Sequence, residues 1–289
     1  MCELFGISSD RPLAMSRELD TFRMRGGSKT DNPDGWGIAW LTNGVFSLVK
    51  EPNPAHRSTL FEQLCDTTRS NLVIAHVRKA SYPTVIDMSN THPFQRVCCG
   101  KEWVFAHNGM VPDIVEIEMS SHNQVCCPTG GTDSEYAFCH LLGRIAEHFH
   151  VLPSAAPSTW LENLATASGL IASLGKFNFL MSDGEHLIAY GHDRLHYLER
   201  SGAGQTGGET GNSVLIATEP LDGHASWTAF QPGELRLYRA GKMIGGMMAQ
   251  PAPPTIRHDT EAGLYRGPES NITRSNNARF AMQHKGGMT

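Results

Sequence analysis

Met1-Cys2-Glu3-Leu4-Phe5-Gly6-Ile7 opens the chain, and the cysteine at its second position frames the rest of the reading. A small residue there permits removal of the initiator methionine, so the mature chain is expected to begin at Cys2, with a free α-amine beside its own thiol. One residue then holds both a nucleophile and a base. An α-amine has a pKa of about 7.7–8.0, close to working pH, and can take the thiol proton directly or through a water. A cysteine at position 2 alone is most simply an accident; its weight comes from residues further along.

The 289 residues, 40% of them hydrophobic, can bury one large core or two modest ones. A formal net charge of -5 argues against a dedicated nucleic-acid or anionic-membrane surface, both of which need clustered Lys and Arg. A small polar ligand fits better. No apolar run reaches the roughly 20 residues that span a bilayer, and the first residues lack the basic start and apolar centre of a signal peptide. The expected compartment is therefore the cytoplasm. Seven cysteines in a chain of this size point to free thiols rather than a disulfide framework. Cys98-Cys99 and Cys126-Cys127 raise the question of a metal, but adjacent cysteines point apart in a strand and lack the two-residue gap that brings two thiolates to one zinc. No metal or organic cofactor is expected.

Apolar runs punctuated by Gly, Pro, Asn and Asp continue to about Met248, after which Gln250-Pro251-Ala252-Pro253-Pro254 begins a polar segment without periodic spacing. The division expected is a domain over residues 2–248 and a tail of low order over 249–289. Strands are predicted at Gly35–Trp40, Phe46–Val49, Asn71–His76, Trp103–His107, Phe177–Ser182, His186–Tyr190, Leu195–Leu198, Ser213–Ala217 and Glu234–Arg239, with Asp183-Gly184 as a hairpin turn. Helices are predicted at Leu13–Arg23, Thr59–Thr67, Ser134–His148 and Thr159–Leu174. Long runs of strands, then helices, then strands indicate packed antiparallel sheets with helices outside them.

Chemistry collects at strand ends. Asn108-Gly109 follows Val104-Phe105-Ala106, placing an amide side chain and an unhindered N–H where a strand leaves the core; two such donors hold a tetrahedral oxyanion. By itself the dipeptide is a hairpin-turn signal. Arg78 closes the strand through Val73-Ile74-Ala75-His76-Val77 and offers a planar fork to a carboxylate, although a lone strand-end arginine is usually just solvated. Gly130-Gly131-Thr132-Asp133-Ser134-Glu135 reads as a tight loop and helix cap in which Asp133 can receive an ammonium.

Taken in order, Cys2–Ile7, Asn32-Pro33-Asp34-Gly35-Trp36-Gly37, Ala75-His76-Val77-Arg78, Thr91-His92-Pro93-Phe94, Ala106-His107-Asn108-Gly109 and Gly131-Thr132-Asp133-Ser134-Glu135 resemble a class II glutamine amidotransferase domain of the N-terminal nucleophile hydrolase type. Phe177–Gly184 and Ala217-Thr218-Glu219-Pro220-Leu221 further resemble its small stand-alone branch, which includes YafJ-like proteins and the γ-glutamyl hydrolase of ergothioneine synthesis. The resemblance extends to about Gly245. It implies an α+β fold, a four-layer α/β/β/α sandwich of two antiparallel sheets, and an amidohydrolase acting on the γ-amide of glutamine or of a γ-glutamyl compound. Carried over by residue, it makes Cys2 the nucleophile, Asn108 and the Gly109 N–H the oxyanion hole, Arg78 the clamp on the α-carboxylate and Asp133 the acceptor of the α-ammonium. His92 and His107 are expected to order loops by hydrogen bonds, His107 at the substrate pocket, with a catalytic histidine as the alternative, and Trp36 to be core.

Two departures stand out. Larger family members follow the arginine with Trp-Ala-Thr-His, whereas Lys79-Ala80-Ser81-Tyr82 stands here, with Ser81 as the polar replacement at the substrate. No acceptor domain follows within the sequence, so a glutaminase feeding ammonia to a separate partner and a self-sufficient hydrolase both remain open. A non-catalytic glutamyl-binding regulatory protein is the third possibility.

Overall fold

A computed structural model of the chain describes residues 1–81, 84–121, 125–151, 157–201, 211–223 and 226–249. The expected tail, apart from Ala249, lies outside the described residues. In chain order the elements are β1 (Glu3–Ala14), α1 (Ser16–Arg23), β2 (Trp36–Thr42), β3 (Val45–Glu51), α2 (Thr59–Thr67), β4 (Arg69–Val77), β5 (Phe94–Cys98), β6 (Lys101–Met110), α3 (Ile114–Met119), α4 (Asp133–Val151), α5 (Pro157–Ala172), β7 (Lys176–Ser182), β8 (His186–Gly191), β9 (His196–Arg200), β10 (Ser213–Ala217), β11 (Thr228–Ala229), β12 (Glu234–Arg239) and β13 (Lys242–Met248). One sheet runs β11-β9-β10-β1-β4-β2-β3 and the other β13-β12-β8-β7-β6-β5. Every neighbouring pair is antiparallel.

Strand periodicity builds the layers. Successive side chains face opposite sides of a sheet, and β6 is apolar on both: Val104 and Ala106 enter the core between the sheets, together with Leu4, Leu72, Ile74, Leu180 and Ile216. Trp103 and Phe105 turn the other way, against Phe138, Leu141, Ile145, Trp160 and Leu164 of α4 and α5. On the far side, Phe5, Ile7, Val73, Ala75 and Val77 pack against Leu19 and Phe22 of α1 and Phe61 of α2. Three apolar interfaces between four layers make the α/β/β/α sandwich. Phe105 is fully buried and stacks on Phe138 with centroids 5.0 Å apart; truncating such a side chain to alanine costs about 3–5 kcal/mol. Trp36 is core as expected, fully buried against Phe61.

The helices begin where their sequences provide for it. Ser58 caps α2 by accepting the Phe61 N–H at 3.0 Å, which satisfies one of the unpaired donors of the first turn. The helix predicted from Leu13 instead starts at Ser16, because after an irregularity between Ser8 and Leu13 the strand continues, with Leu13 opposite Ser70 and Ala14 opposite Arg69. The expectation of free thiols throughout is corrected at one place: Cys126 and Cys139 form a disulfide, joining the segment before α4 to the helix itself. Cys98 and Cys99 also depart from the expected divergence. Cys98 ends β5 and Cys99 has φ +56° in the turn to β6, which brings their sulfurs to 3.0 Å.

Candidate active site

Register brings the amino terminus to the end of β4. Glu3 lies opposite Val77 and Leu4 opposite His76, so one step further out Cys2 meets the residues that follow the strand. Its thiol donates to the Lys79 carbonyl at 3.3 Å and accepts the Lys79 N–H at 3.2 Å. On the other side of β1, Thr218 follows β10; its N–H donates to the Leu4 carbonyl at 3.0 Å, and its hydroxyl accepts the Leu4 N–H at 2.9 Å. The nucleophile candidate thus leaves a strand paired on both sides.

Cys2, Arg78, Ser81, His107, Gly109 and Asp133 all line one cavity of about 380 Å³. Arg78 is buried, with one of its five donors on the Val85 carbonyl at 2.8 Å. Ser81 is exposed at the rim. Asp133 is the first residue of α4, and its carboxylate accepts the Ser134 N–H at 2.8 Å and the Val111 N–H at 2.6 Å. Oδ1 also accepts the Ser134 hydroxyl at 3.4 Å, so Asp133 fastens its own helix and the segment after β6, while Oδ2 keeps a lone pair for a ligand. His107 is buried and links the sheet to α4: Nδ1 hydrogen-bonds with the Ser134 hydroxyl at 2.8 Å and Nε2 with the Lys176 carbonyl at 3.2 Å. It ties strand and helix rather than the loops expected of it.

Asn108 is placed differently. It lies within β6, opposite Asn178, so Asn108-Gly109 is not the turn its composition signals. Its side chain is sealed in the core, 1% exposed, and Nδ2 donates to the Thr218 hydroxyl at 3.1 Å. It does not line the cavity, whereas Gly109 does. Gly109 has φ +153°, and a Cβ there would strike the Lys176 carbonyl; only glycine carries the strand through this close approach.

The cavity wall adds residues the sequence gave no reason to select. Asn90, Thr132 and Ser134 supply polar groups, while Val85, Met110, Pro112 and Val115 supply apolar surface. His92 also lines the wall, but it orders no loop through hydrogen bonds: neither ring nitrogen has a partner. The ring stacks on His76 at 4.3 Å and tilts against Phe94 at 4.4 Å. Beyond the wall, Glu135 accepts the Thr129 and Gly130 N–H groups at 2.9 and 2.7 Å and pairs with Arg96, and Asn90 accepts the Gly131 N–H at 2.9 Å. The loop before Asp133 is fixed from three directions.

Burial governs the protons. It pushes the Cys2 thiol up, against the opposing pull of the Lys79 N–H, the amino-terminal charge and Arg78, so the thiol needs a base to ionise. Burial also depresses the three imidazoles: His76 to about 3, His92 well below the usual histidine range, and His107 in the same direction against the pull of Asp133. Neutral rings of such low basicity are poor proton acceptors at neutral pH.

Comparison with known proteins gives the family. The family model for class-II glutamine amidotransferases matches residues 1–205. YafJ of Escherichia coli K12 is 32% identical over 263 residues, covering 84% of this chain and all of that protein. The γ-glutamyl-hercynylcysteine sulfoxide hydrolase of Mycobacterium tuberculosis is 26% identical over 198 residues, 68% of this chain and 71% of its own. A crystal structure of a predicted glutamine amidotransferase from Pseudomonas aeruginosa superposes with a TM-score of 0.63 at 29% identity, covering 84% of this chain and all of that one. Among the described residues no helix is long and apolar enough to cross a membrane.

Proposed function

The chain belongs to the class II glutamine amidotransferases, enzymes with the N-terminal nucleophile fold, and from that premise we propose that it hydrolyses the γ-amide bond of a γ-glutamyl compound through a thioester on Cys2. The observation that carries the reading is the cavity itself. It gathers a thiol, a guanidinium and a carboxylate from three distant parts of the chain around one space. A γ-glutamyl group carries a carboxylate and an ammonium at one end and the scissile amide at the other, and Arg78, Asp133 and Cys2 match those three groups.

Met1 is half exposed, open to an aminopeptidase. Its removal frees the Cys2 α-amine as the base that the depressed histidines cannot be. The amine takes the thiol proton, and the sulfur attacks the γ-carbonyl. The Gly109 N–H receives the oxyanion from the cavity wall and the Asn108 amide, the residue before it and buried behind that wall, from inside the sheet, and the ammonium then gives its proton to the leaving amine as the C–N bond breaks. Water attacks the thioester next, with the amine again as base, and glutamate leaves with the thiol restored. Ser81 and His107 complete the substrate pocket. The catalytic thiol has to stay reduced, and on that ground, the Cys126–Cys139 bond notwithstanding, the reading assigns the enzyme to the cytoplasm. The mycobacterial relative, named for a γ-glutamyl substrate larger than glutamine, supports a self-sufficient hydrolase.

The test combines intact mass with a panel of γ-glutamyl compounds that includes glutamine. The expected result is a chain lacking Met1 that releases glutamate from at least one member, with ammonia or an amine as co-product identifying the leaving group. Retained Met1 and no glutamate from any member would overturn the reading.

A further inference from the structure

The sequence Ala217-Thr218-Glu219-Pro220-Leu221 has so far had no task, yet Thr218 stands between the two sheets' contributions to the site. Its hydroxyl oxygen has two acceptor lone pairs, and the structure fills both: the Leu4 N–H at 2.9 Å, two residues from the nucleophile, and the Asn108 Nδ2 at 3.1 Å. The side chain is fully buried. We propose that Thr218 is the positioning residue of the oxyanion hole, holding one amide proton of Asn108 so that the other is aimed at the developing oxyanion. This rests on the γ-glutamyl hydrolase reading above.

The need for such a residue follows from the amide. The terminal torsion of asparagine is broad, so a carboxamide reached only through its strand could swing its donor away from the reacting carbonyl. The Asn108 backbone is already fixed, its carbonyl accepting Asn178 Nδ2 at 3.1 Å while Asn178 Oδ1 receives the N–H groups of His192, Asp193 and Arg194. Thr218 fixes the remaining freedom. It is itself held hard: the Thr218 carbonyl meets His196 Nδ1 at 2.9 Å, Arg25 donates to the next two carbonyls, those of Glu219 and Pro220, at 3.1 and 2.5 Å, and Arg194 grips the Glu219 carboxylate through two donors at 2.9 and 3.1 Å. Arg25 also pairs at 2.7 Å with the buried Glu3, the residue after the nucleophile. One clamp therefore sets Thr218 relative to Cys2. A β-branched residue, restricted at χ1, suits the task better than serine.

The test compares Thr218→Val, isosteric but without a hydroxyl, with Thr218→Ser, which restores it. Turnover is measured per Cys2 titrated with a glutamine-analogue electrophile, so that unfolded protein is not counted. Thr218→Val is expected to lower kcat roughly 10- to 100-fold with KM little changed, the scale of a misplaced catalytic group, and Thr218→Ser to recover all but a few-fold. In an Asn108→Ala background, Thr218→Val is expected to cost no more than a few-fold further, because there is no amide left to aim. Thr218→Ala, smaller and free of steric conflict, carries the same expectation should the valine variant fold poorly. Full turnover per titrated site in both hydroxyl-less variants, or losses that multiply with Asn108→Ala, would overturn the assignment. A wild-type chain that releases no glutamate would instead sink the hydrolase reading beneath it.

Discussion

The two sheets meet at the site but present their groups in opposite ways. The seven-stranded sheet delivers Cys2 half-buried at a strand end, open to the cavity and held only through the Lys79 backbone. The six-stranded sheet keeps Asn108 inside the molecule, 1% exposed, its amide tied to a buried hydroxyl. A nucleophile must advance on its substrate and be reached by water, whereas a group that stabilises charge works best when nothing about it moves and no solvent competes. On the proposed mechanism the difference divides the site into a reacting side and a fixed side.

The hardest blow to the reacting side is Cys2→Ala. It is expected to reduce glutamate release by about 10⁴-fold or more while leaving the fold intact, and a glutamine-analogue electrophile is expected to label Cys2 and none of the other free thiols at Cys65, Cys98, Cys99 and Cys127. Peptide mapping of the labelled chain checks this, and a label elsewhere would dissolve the division between the two sides. On the fixed side, Asn108→Ala is expected to lower kcat by roughly 100- to 1000-fold with substrate affinity little altered. Normal turnover per titrated site alongside a lowered melting temperature would show a purely structural asparagine.

The charged wall comes next. Arg78→Lys keeps the charge but loses the planar fork, and is expected to raise KM on the order of 10-fold with a smaller change in kcat. Replacing Asp133 by Asn should hurt much less with a substrate analogue lacking the α-ammonium than with the natural glutamyl group. Equal damage with both would leave Asp133 as the helix and loop fastener that its contacts to Ser134 and Val111 already make it.

The mildest effect is on stability against pH. His76, His92 and His107 all have folded pKa values below that of an unfolded histidine, near 6.5. The unfolded chain therefore binds more protons in acid. Stability is full above about pH 6.5 and falls as pH drops below it, by up to about 1.4 kcal/mol per pH unit for each imidazole, continuing to about 3 for His76. Denaturant unfolding between pH 7 and 4 measures the slope, and His76→Phe is expected to make it shallower. An unchanged slope would show that the His76 and His92 pair is not what resists protonation.

The sequence disclosed those parts of the molecule whose signals are local. Ser213–Ala217 and Glu234–Arg239 are strands with the predicted bounds because compact apolar runs with flanking turn residues leave few alternatives. β1 carried no such mark: Asp10-Arg11-Pro12 reads as a break, and only the ladder to Arg69 and Ser70 across the sheet keeps Leu13 and Ala14 extended. β13 contains Gly245 and Gly246 and sits at an edge, where a partner rather than propensity makes the strand. Cys2, Arg78, His107, Gly109 and Asp133 were singled out by motif order and Ser81 by a departure from it, and the cavity unites them. The orientation of Asn108 was not, since its partner Thr218 is 110 residues away and nothing in either neighbourhood announces the other. The Cys126–Cys139 bond spans 13 positions between a loop and a helix, a pairing that composition alone cannot assign.

The position of β1 within its sheet has a consequence in time. It precedes every other described strand in the chain, yet it lies between β4 and β10, and its ladder to β10 needs residues 213–217. The Cys2 thiol is therefore synthesised before every other cavity residue and seated only after β10. The Met1 removal that the proposed mechanism requires acts on an emerging chain, whereas the strand carrying Cys2 gains its second neighbour only when residues 213–217 have been made. Until then β1 has β4 on one side only and Thr218 is not there to hold the Leu4 N–H, so on the proposed mechanism the nascent chain is spared a working hydrolase at its own tip.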